Sequence, residues 1–306
     1  MTTELPDILR LWLSEFVAQH LGLHFPKERW DDLERGVRAA AQESGSQPVD
    51  AYVQRLLSSN AQSPVEILAT HLTVGETYFF REQSSFDFLR EEIIPKVTSP
   101  RCTRVRRLRV WSAGCATGEE PYSVAILLSR SMPDFEGCSI SILATDVNAR
   151  SVEKAVAGTY GKWSFRTTPD SIRSAYFTAA ADDRWTVVPA VKQMVTFARL
   201  NLAMDHYLFP FNSANAFDVI LCRNVLMYFT PEAAKKVIRR LYGALAPGGW
   251  LMVGAAEASH VLFSELGPVD FLNGAAYKKP DRDLTKDASY CLHGQNHAAP
   301  GMSTDR

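Results

Sequence analysis

The stretch Val110-Trp-Ser-Ala-Gly-Cys-Ala-Thr-Gly-Glu-Glu-Pro-Tyr-Ser123 decides the fold. Leu108 to Trp111 form an apolar run of strand type. Gly114 and Gly118 allow a tight turn and close approach of the backbone to a ligand. Pro121 suits the first turn of the helix expected next. Strand, glycine turn and helix make a cradle for a nucleotide-like ligand, and a dinucleotide fold puts a pyrophosphate at such a helix N-terminus. Here Glu119 and Glu120 hold that place. Two carboxylates repel a pyrophosphate and suit a ligand with hydroxyls and positive charge. S-adenosylmethionine, with a ribose, an ammonium, a sulfonium and no phosphate, fits. An ordinary strand-turn-helix of an α/β core is the plain alternative for this segment alone.

Outward from this point the α/β rhythm continues. Phe86 to Val97 reads as a helix leading into the strand at 108–111, with a helix over 121–131 after the glycine turn. Ser139 to Thr145 reads as a second strand ending at Asp146, and Asn148 as the cap of a helix to about Ala157. Such alternation implies a parallel sheet with right-handed crossovers. Residues 160–200 break it. Trp185-Thr-Val-Val and Met194-Val-Thr-Phe-Ala, around Pro189, predict a small inserted antiparallel β-subdomain. The rhythm resumes with the strand Phe217-Asp-Val-Ile-Leu-Cys222. A helix then starts at Thr230-Pro231 and stops at Gly248-Gly249, Trp250 to Gly254 forms the next strand, and Ala275 to Tyr277 closes the sheet.

Residues 1–85 carry no strand signal. Ile8, Leu9, Trp12, Leu13, Phe16, Val17 and Leu21 recur at helical spacing. Trp30, Leu33 and Val37 mark a second helix and Tyr52, Val53, Leu56 and Leu57 a third. Ser63-Pro64-Val65-Glu66 opens a fourth. The expected organisation is a helical domain over 1–85, an α/β domain over 86–280 and a disordered polar tail over 281–306.

The chain has 306 residues and a net charge of −1, which argues against a surface built for nucleic acid. The five arginines between Arg101 and Arg109 lack interleaved aromatics and read as a solvated connector. No apolar run approaches the roughly 20 residues of a membrane span, and no secretory leader is evident. Five cysteines without C-x-x-C suit reduced thiols in a cytoplasmic protein, and no metal is expected.

Asp146 follows a strand, where open α/β sheets bind their ligands. It can accept from both ribose hydroxyls, or serve as a helix-cap partner. Asn201 and Leu202 suit an adenine edge and face, or an ordinary turn. Arg223, Asn224 and Tyr228, after the strand at 217–222, are costly to bury without partners. They form either a satisfied loop network or a floor for the methionyl group and a methyl acceptor. Thr77-Tyr-Phe-Phe-Arg81 by itself reads as core packing with a surface ion pair.

Taken together, Thr77–Arg81, Ala113–Ser123, Ala144-Thr-Asp146, Asn201-Leu202 and Cys222–Phe229 resemble the chemotaxis receptor glutamate O-methyltransferases of the CheR type, over about residues 8 to 280. The resemblance implies a Rossmann-like class I S-adenosylmethionine-dependent methyltransferase domain with an N-terminal all-helical domain and a small inserted antiparallel β-subdomain. It implies cofactor contacts from Thr77, Arg81, Glu119 or its neighbour Glu120, Asp146, Asn201, Leu202, Arg223 and Asn224. Arg81 would reach over the cofactor carboxylate or the acceptor glutamate, and Tyr228 would lie near the transferring methyl. The implied reaction is esterification of glutamate side chains in the cytoplasmic domains of methyl-accepting chemoreceptors by a monomeric enzyme, with S-adenosylhomocysteine released. Other readings are a class I methyltransferase with another acceptor and a non-catalytic S-adenosylmethionine-binding regulator. An NAD oxidoreductase is disfavoured by the glutamate pair. Two positions depart from the family pattern: Gly75 replaces its asparagine, and the second helix mixes Lys27, Arg29, Arg35 and Arg38 with Glu28, Asp31, Asp32 and Glu34 where the family presents a basic face.

Overall fold

The computed structural model describes residues 4–58, 62–97, 107–131, 139–204, 216–258 and 276–280. The tail expected over 281–306 and Arg101 to Arg106 of the arginine run lie outside them.

Four helices open the described chain: α1 (Asp7–Leu21), α2 (Trp30–Glu43), α3 (Val49–Leu57) and α4 (Gln62–Leu72). Each buries one apolar stripe, for example Leu13, Phe16, Val17 and Leu21 of α1, as spacing of three and four residues requires. Gly36 lets α2 and α4 approach closely, since a Cβ there would lie 2.3 Å from Leu72 Cδ2. Glu34 ties this bundle to the chain start, accepting from the Leu5 N–H at 3.2 Å, Arg10 Nε at 3.0 Å and Arg38 Nε at 2.8 Å. Next, α5 (Gln83–Phe88) continues through a wide π turn at Leu89–Ile93 into α6 (Ile94–Val97).

The α/β part is a doubly wound sheet in the order β6-β2-β1-β7-β8-β9, from β1 (Arg107–Ala113), β2 (Ser139–Asp146), β6 (Val195–Arg199), β7 (Phe217–Cys222), β8 (Leu245–Val253) and β9 (Ala276–Lys278). All neighbours are parallel except β8 and β9. The crossovers include α7 (Glu119–Ser131), α8 (Ala149–Ala157) and α11 (Pro231–Ala244). Asn148 caps α8 by accepting the Ser151 N–H at 3.2 Å, and Thr230 caps α11 by accepting the Ala233 N–H at 3.2 Å. β1 and β7 are buried almost throughout because helices cover both faces. The chain runs from β1 outward to β2 and β6, then returns to β7 on the other side of β1. The β1/β7 edge is therefore the topological switch point, where open α/β sheets bind ligands.

Between α8 and β6 lies a separate antiparallel sheet, order β3-β5-β4, made of β3 (Thr159–Gly161), β4 (Phe177–Ala180) and β5 (Arg184–Val187). It also carries α9 (Asp170–Tyr176), and α10 (Pro189–Lys192) leads on to β6. Phe79, Phe165 and Phe177 pack together with ring centres about 5 Å apart and join this sheet to the segment before α5.

Three readings of the sequence need correction. The run Met194–Ala198 is not part of the inserted sheet: Val195–Arg199 pairs in parallel with β2, Ile142 facing Val195. α11 stops at Ala244, not at Gly248-Gly249. Both glycines lie inside β8 where its register with β7 shifts, and a Cβ on Gly249 would sit 3.1 Å from the carbonyl oxygens of Phe217 and Asp218. α7 begins at Glu119, leaving Pro121 as its third residue, still in the turn whose N–H groups lack helical partners.

Candidate active site

Every strand that feeds the switch point delivers a polar turn to the same cleft. Gly114, Cys115 and Ala116 follow β1, Asp146 ends β2, Asn201 and Leu202 follow β6, and Arg223, Asn224 and Val225 follow β7. Val74 to Tyr78 and Arg81 form another wall, and Leu21, Leu23 and Leu72 from the helical region add an apolar one. The cleft holds about 1040 Å³ of empty space, part of it open solvent.

The turn after β1 is shaped by backbone that few residues tolerate. Gly114 has φ +80°, and a Cβ there would lie 2.4 Å from Val225 Cγ2. Ala116, with φ 46°, is held by Asp146, whose Oδ2 accepts its N–H at 2.8 Å. Asp146 Oδ1 accepts the Asn148 N–H at 2.8 Å. Burial pushes the Asp146 carboxyl above its usual range, and the backbone N–H groups of Asn148, Ala116 and Val147 only partly offset that. Hydroxyl donors from a ligand would relieve the remaining cost.

Arg223 has a side chain only 2% exposed and needs anionic partners. Its Nη1 lies 3.0 Å from Glu120 Oε2 and its Nη2 3.1 Å from Glu82 Oε2, and Nη2 also donates to the Arg81 carbonyl at 2.6 Å. Glu120 Oε1 accepts from Ser112 Oγ at 2.8 Å. Desolvation raises the Glu120 carboxyl despite Arg223 and Ser112. Desolvation also acts on Glu82, but Arg223 and Asn224 outweigh it and hold that carboxyl below its usual range.

Of the residues expected to contact the cofactor, Thr77, Arg81, Glu120, Asp146, Asn201, Leu202, Arg223 and Asn224 all line the cleft, as does Tyr228. Glu119 does not. Successive helical residues point about 100° apart, and Glu119 turns toward the inserted sheet. It accepts from Thr117 Oγ1 at 2.7 Å and Ser164 Oγ at 2.9 Å at 2% exposure. Desolvation raises its carboxyl too, partly offset by those two hydroxyls. The Asn201 side chain is engaged by backbone, donating to the His20 carbonyl at 2.7 Å and accepting the Ala203 N–H at 2.9 Å. Arg81 Nη1 donates to the Glu76 carbonyl at 2.7 Å.

Sequence reading missed two carboxylates. Glu82 was legible only as the counter-charge that a buried Arg223 demands. Glu257, buried after β8, accepts the N–H groups of Asn224 at 2.6 Å, Gly254 at 2.9 Å and Met227 at 3.2 Å. It fixes the loop that carries Asn224 (φ 57°) and Tyr228 into the cleft. Its one local signal is the spacing Gly254-x-x-Glu257, which matches a helix-start box.

The donor set fits S-adenosylmethionine. Asp146 and Glu120 offer carboxylates to hydroxyls or a cation, the turn Gly114–Ala116 brings backbone to the cleft, and the Arg223 cation is already engaged by Glu82 and Glu120. A doubly wound sheet with N-terminal helices, a small antiparallel insertion and this cleft at its switch point defines a class I S-adenosylmethionine-dependent methyltransferase. Residues 75–265 match the family model described as CheR methyltransferase, SAM binding domain, and the chain belongs to that family. Similar proteins include chemotaxis protein methyltransferase 2 of Vibrio cholerae, 28% identical over 275 residues, covering 90% of this chain and 94% of that one. Chemotaxis protein methyltransferase 1 of Pseudomonas aeruginosa is 32% identical, with 78% and 85% covered. The chemotaxis protein methyltransferase of Vibrio parahaemolyticus is 35% identical, with 68% and 73% covered. No described helix is long and apolar enough to cross a membrane.

Proposed function

We propose that the protein transfers a methyl group from S-adenosylmethionine to glutamate side chains in the cytoplasmic domains of chemoreceptors, forming γ-glutamyl methyl esters. The observation that carries this reading is the convergence of Asp146, Glu120, Arg223, Arg81 and Tyr228 on one cleft at the switch point. When bound, S-adenosylmethionine supplies a methyl group already activated by its sulfonium and leaves as S-adenosylhomocysteine.

Asp146 accepts the ribose hydroxyls with the lone pairs that Ala116 and Asn148 leave free. Glu120, pinned by Arg223, faces the cationic end. An acceptor glutamate with an ordinary pKa of about 4.3 needs no general base near neutral pH. Catalysis then rests on positioning and on exclusion of water. Arg81 orients the acceptor carboxylate, and Tyr228 lines the methyl path. A tight Arg81 ion pair would hold back the nucleophile, so Arg81 acts through geometry.

The test incubates the protein, chemoreceptor-containing membranes and methyl-labelled cofactor. Base-labile label on receptor glutamates supports the reading. Base-stable label assigns another acceptor, and cofactor binding without label identifies a non-catalytic regulator.

A further inference from the structure

One wall of the cleft mouth is the irregular segment Thr73–Tyr78 after α4, in which Val74 is 54% exposed while lining the cleft. Beside it, the short 3-10 turn Lys162–Phe165 of the inserted sheet presents Trp163, 67% exposed. Single exposed apolar side chains are common and mean little alone. Trp163 differs in being pinned. The Arg166 guanidinium carbon lies 4.3 Å from the Trp163 ring centre and 3.7 Å from that of Tyr78, a cleft residue. Arg166 Nη1 donates to the Trp163 carbonyl at 2.9 Å, and Nη2 lies 2.5 Å from Glu76 Oε1. Arg81 also borders this stack, its guanidinium carbon 5.9 Å from the Tyr78 ring centre.

The charge of Arg166 is met by Glu76, so the stack offers a planar apolar surface. The cation beyond it is Arg81. A pre-ordered indole loses little side-chain freedom on contact, which is what makes tryptophan an effective anchor in interfaces. Trp163 itself does not line the cofactor cleft, although Tyr78 and Val74 do.

We infer that Trp163, held by the Arg166–Tyr78 stack, is the docking ledge for the acceptor polypeptide. The segment flanking the modified glutamate lays its apolar side chains on Trp163 and Val74, and the glutamate carboxylate enters beside Arg81. Complementarity between that carboxylate and Arg81 selects this occupant. The inference rests on the glutamate methyltransferase reading above.

Its test is steady-state methylation of chemoreceptor membranes by the full chain and its Trp163→Ala, Trp163→Phe and Arg166→Lys variants, with cofactor affinity measured in parallel by calorimetry. Trp163→Ala raises the KM for receptor about tenfold, changes kcat less than about twofold and leaves cofactor affinity unaltered. Trp163→Phe restores most of the lost affinity. Arg166→Lys, which keeps the charge opposite Glu76 but not the planar stack, falls between. An unchanged receptor KM in Trp163→Ala, or a parallel loss of cofactor binding, overturns the docking ledge while the methyltransferase reading stands. Absence of receptor labelling by the unaltered protein overturns both.

Discussion

The Asp146 carboxylate accepts the Ala116 N–H at 2.8 Å, so the acid that ends the second strand and the turn that follows the first are held as one unit. Replacing Asp146 therefore affects the ligand and the turn together. Asp146→Ala is expected to lower S-adenosylmethionine affinity at least about tenfold, since hydrogen bonds to a charged group contribute about 1.5–3 kcal/mol each. Calorimetric titration of the folded variant checks it, and wild-type affinity would remove Asp146 from the ribose role.

Acidification should weaken cofactor binding before it weakens the fold. Asp146 and Glu120 are raised by desolvation, so they take up protons above the usual carboxylate range and lose acceptor strength for hydroxyls and cations. As groups with raised folded values, they contribute stability that is complete only at low pH and is lost as pH rises through those values. The cofactor-free protein therefore gains from their protonation. Glu34 behaves oppositely. Its desolvation is outweighed by Arg38, the Leu5 N–H and Arg10, leaving its carboxyl below the usual range. Its stabilising effect is present above the unfolded value and is lost only as pH falls through the lowered folded one. Calorimetry carried downward from neutral pH should show affinity falling before the cofactor-free melting temperature does. A melting temperature that falls first would contradict the assignment.

Arg81→Ala should reduce turnover at least about tenfold with secondary structure intact, because the residue orients an acceptor and carries no buried network of its own. Arg81→Lys should recover part of that loss. Label incorporation alongside circular dichroism separates the two effects, and near-wild-type turnover would exclude Arg81 from the site.

Glu257→Gln keeps one acceptor oxygen but sets an amide N–H₂ against one of three backbone N–H groups now bound by the carboxylate. A buried donor left unpaired costs about 1–3 kcal/mol. In a domain of this size that corresponds to a melting temperature lower by several degrees, at about 2–4 °C per kcal/mol. Cofactor affinity should drop with it, because Asn224 and Tyr228 ride on the same loop. Scanning calorimetry and titration of one preparation test both.

Gly114→Ala would place a Cβ 2.4 Å from Val225 Cγ2 at φ +80°. A left-handed alanine costs about 1–2 kcal/mol before any clash, and the Val225 side chain beside Arg223 must shift to admit it. Cofactor binding should fall more than about tenfold, measured by titration, in a variant that still gives a folded circular dichroism spectrum.

The strands on either side of the switch point were readable because buried parallel strands leave unbroken apolar runs, as in Phe217–Cys222. The Val195–Arg199 strand was not placed correctly, since its pairing with Ile142–Asp146 crosses some fifty residues of chain and leaves no local mark. Adjacent glutamates at 119 and 120 read identically until the helix sends one into the cleft and the other beneath the inserted sheet. Glu82 and Glu257 leave only faint marks in the sequence for a related reason. Each acts on a partner brought near only by the fold, Arg223 in one case and the Asn224 backbone in the other.

Leu21, Leu23, Leu72 and Val74 lie ahead of the family-matched region yet line the cleft, and Leu23 forms a bridge with Phe229 beside Tyr228. The helical region is thus no detachable recognition module. Chimeras that graft these helices from a relative would alter cofactor affinity along with partner choice. The seam behaves as one packing unit, so a graft keeps the cleft intact only if the apolar residues on both of its sides are exchanged together.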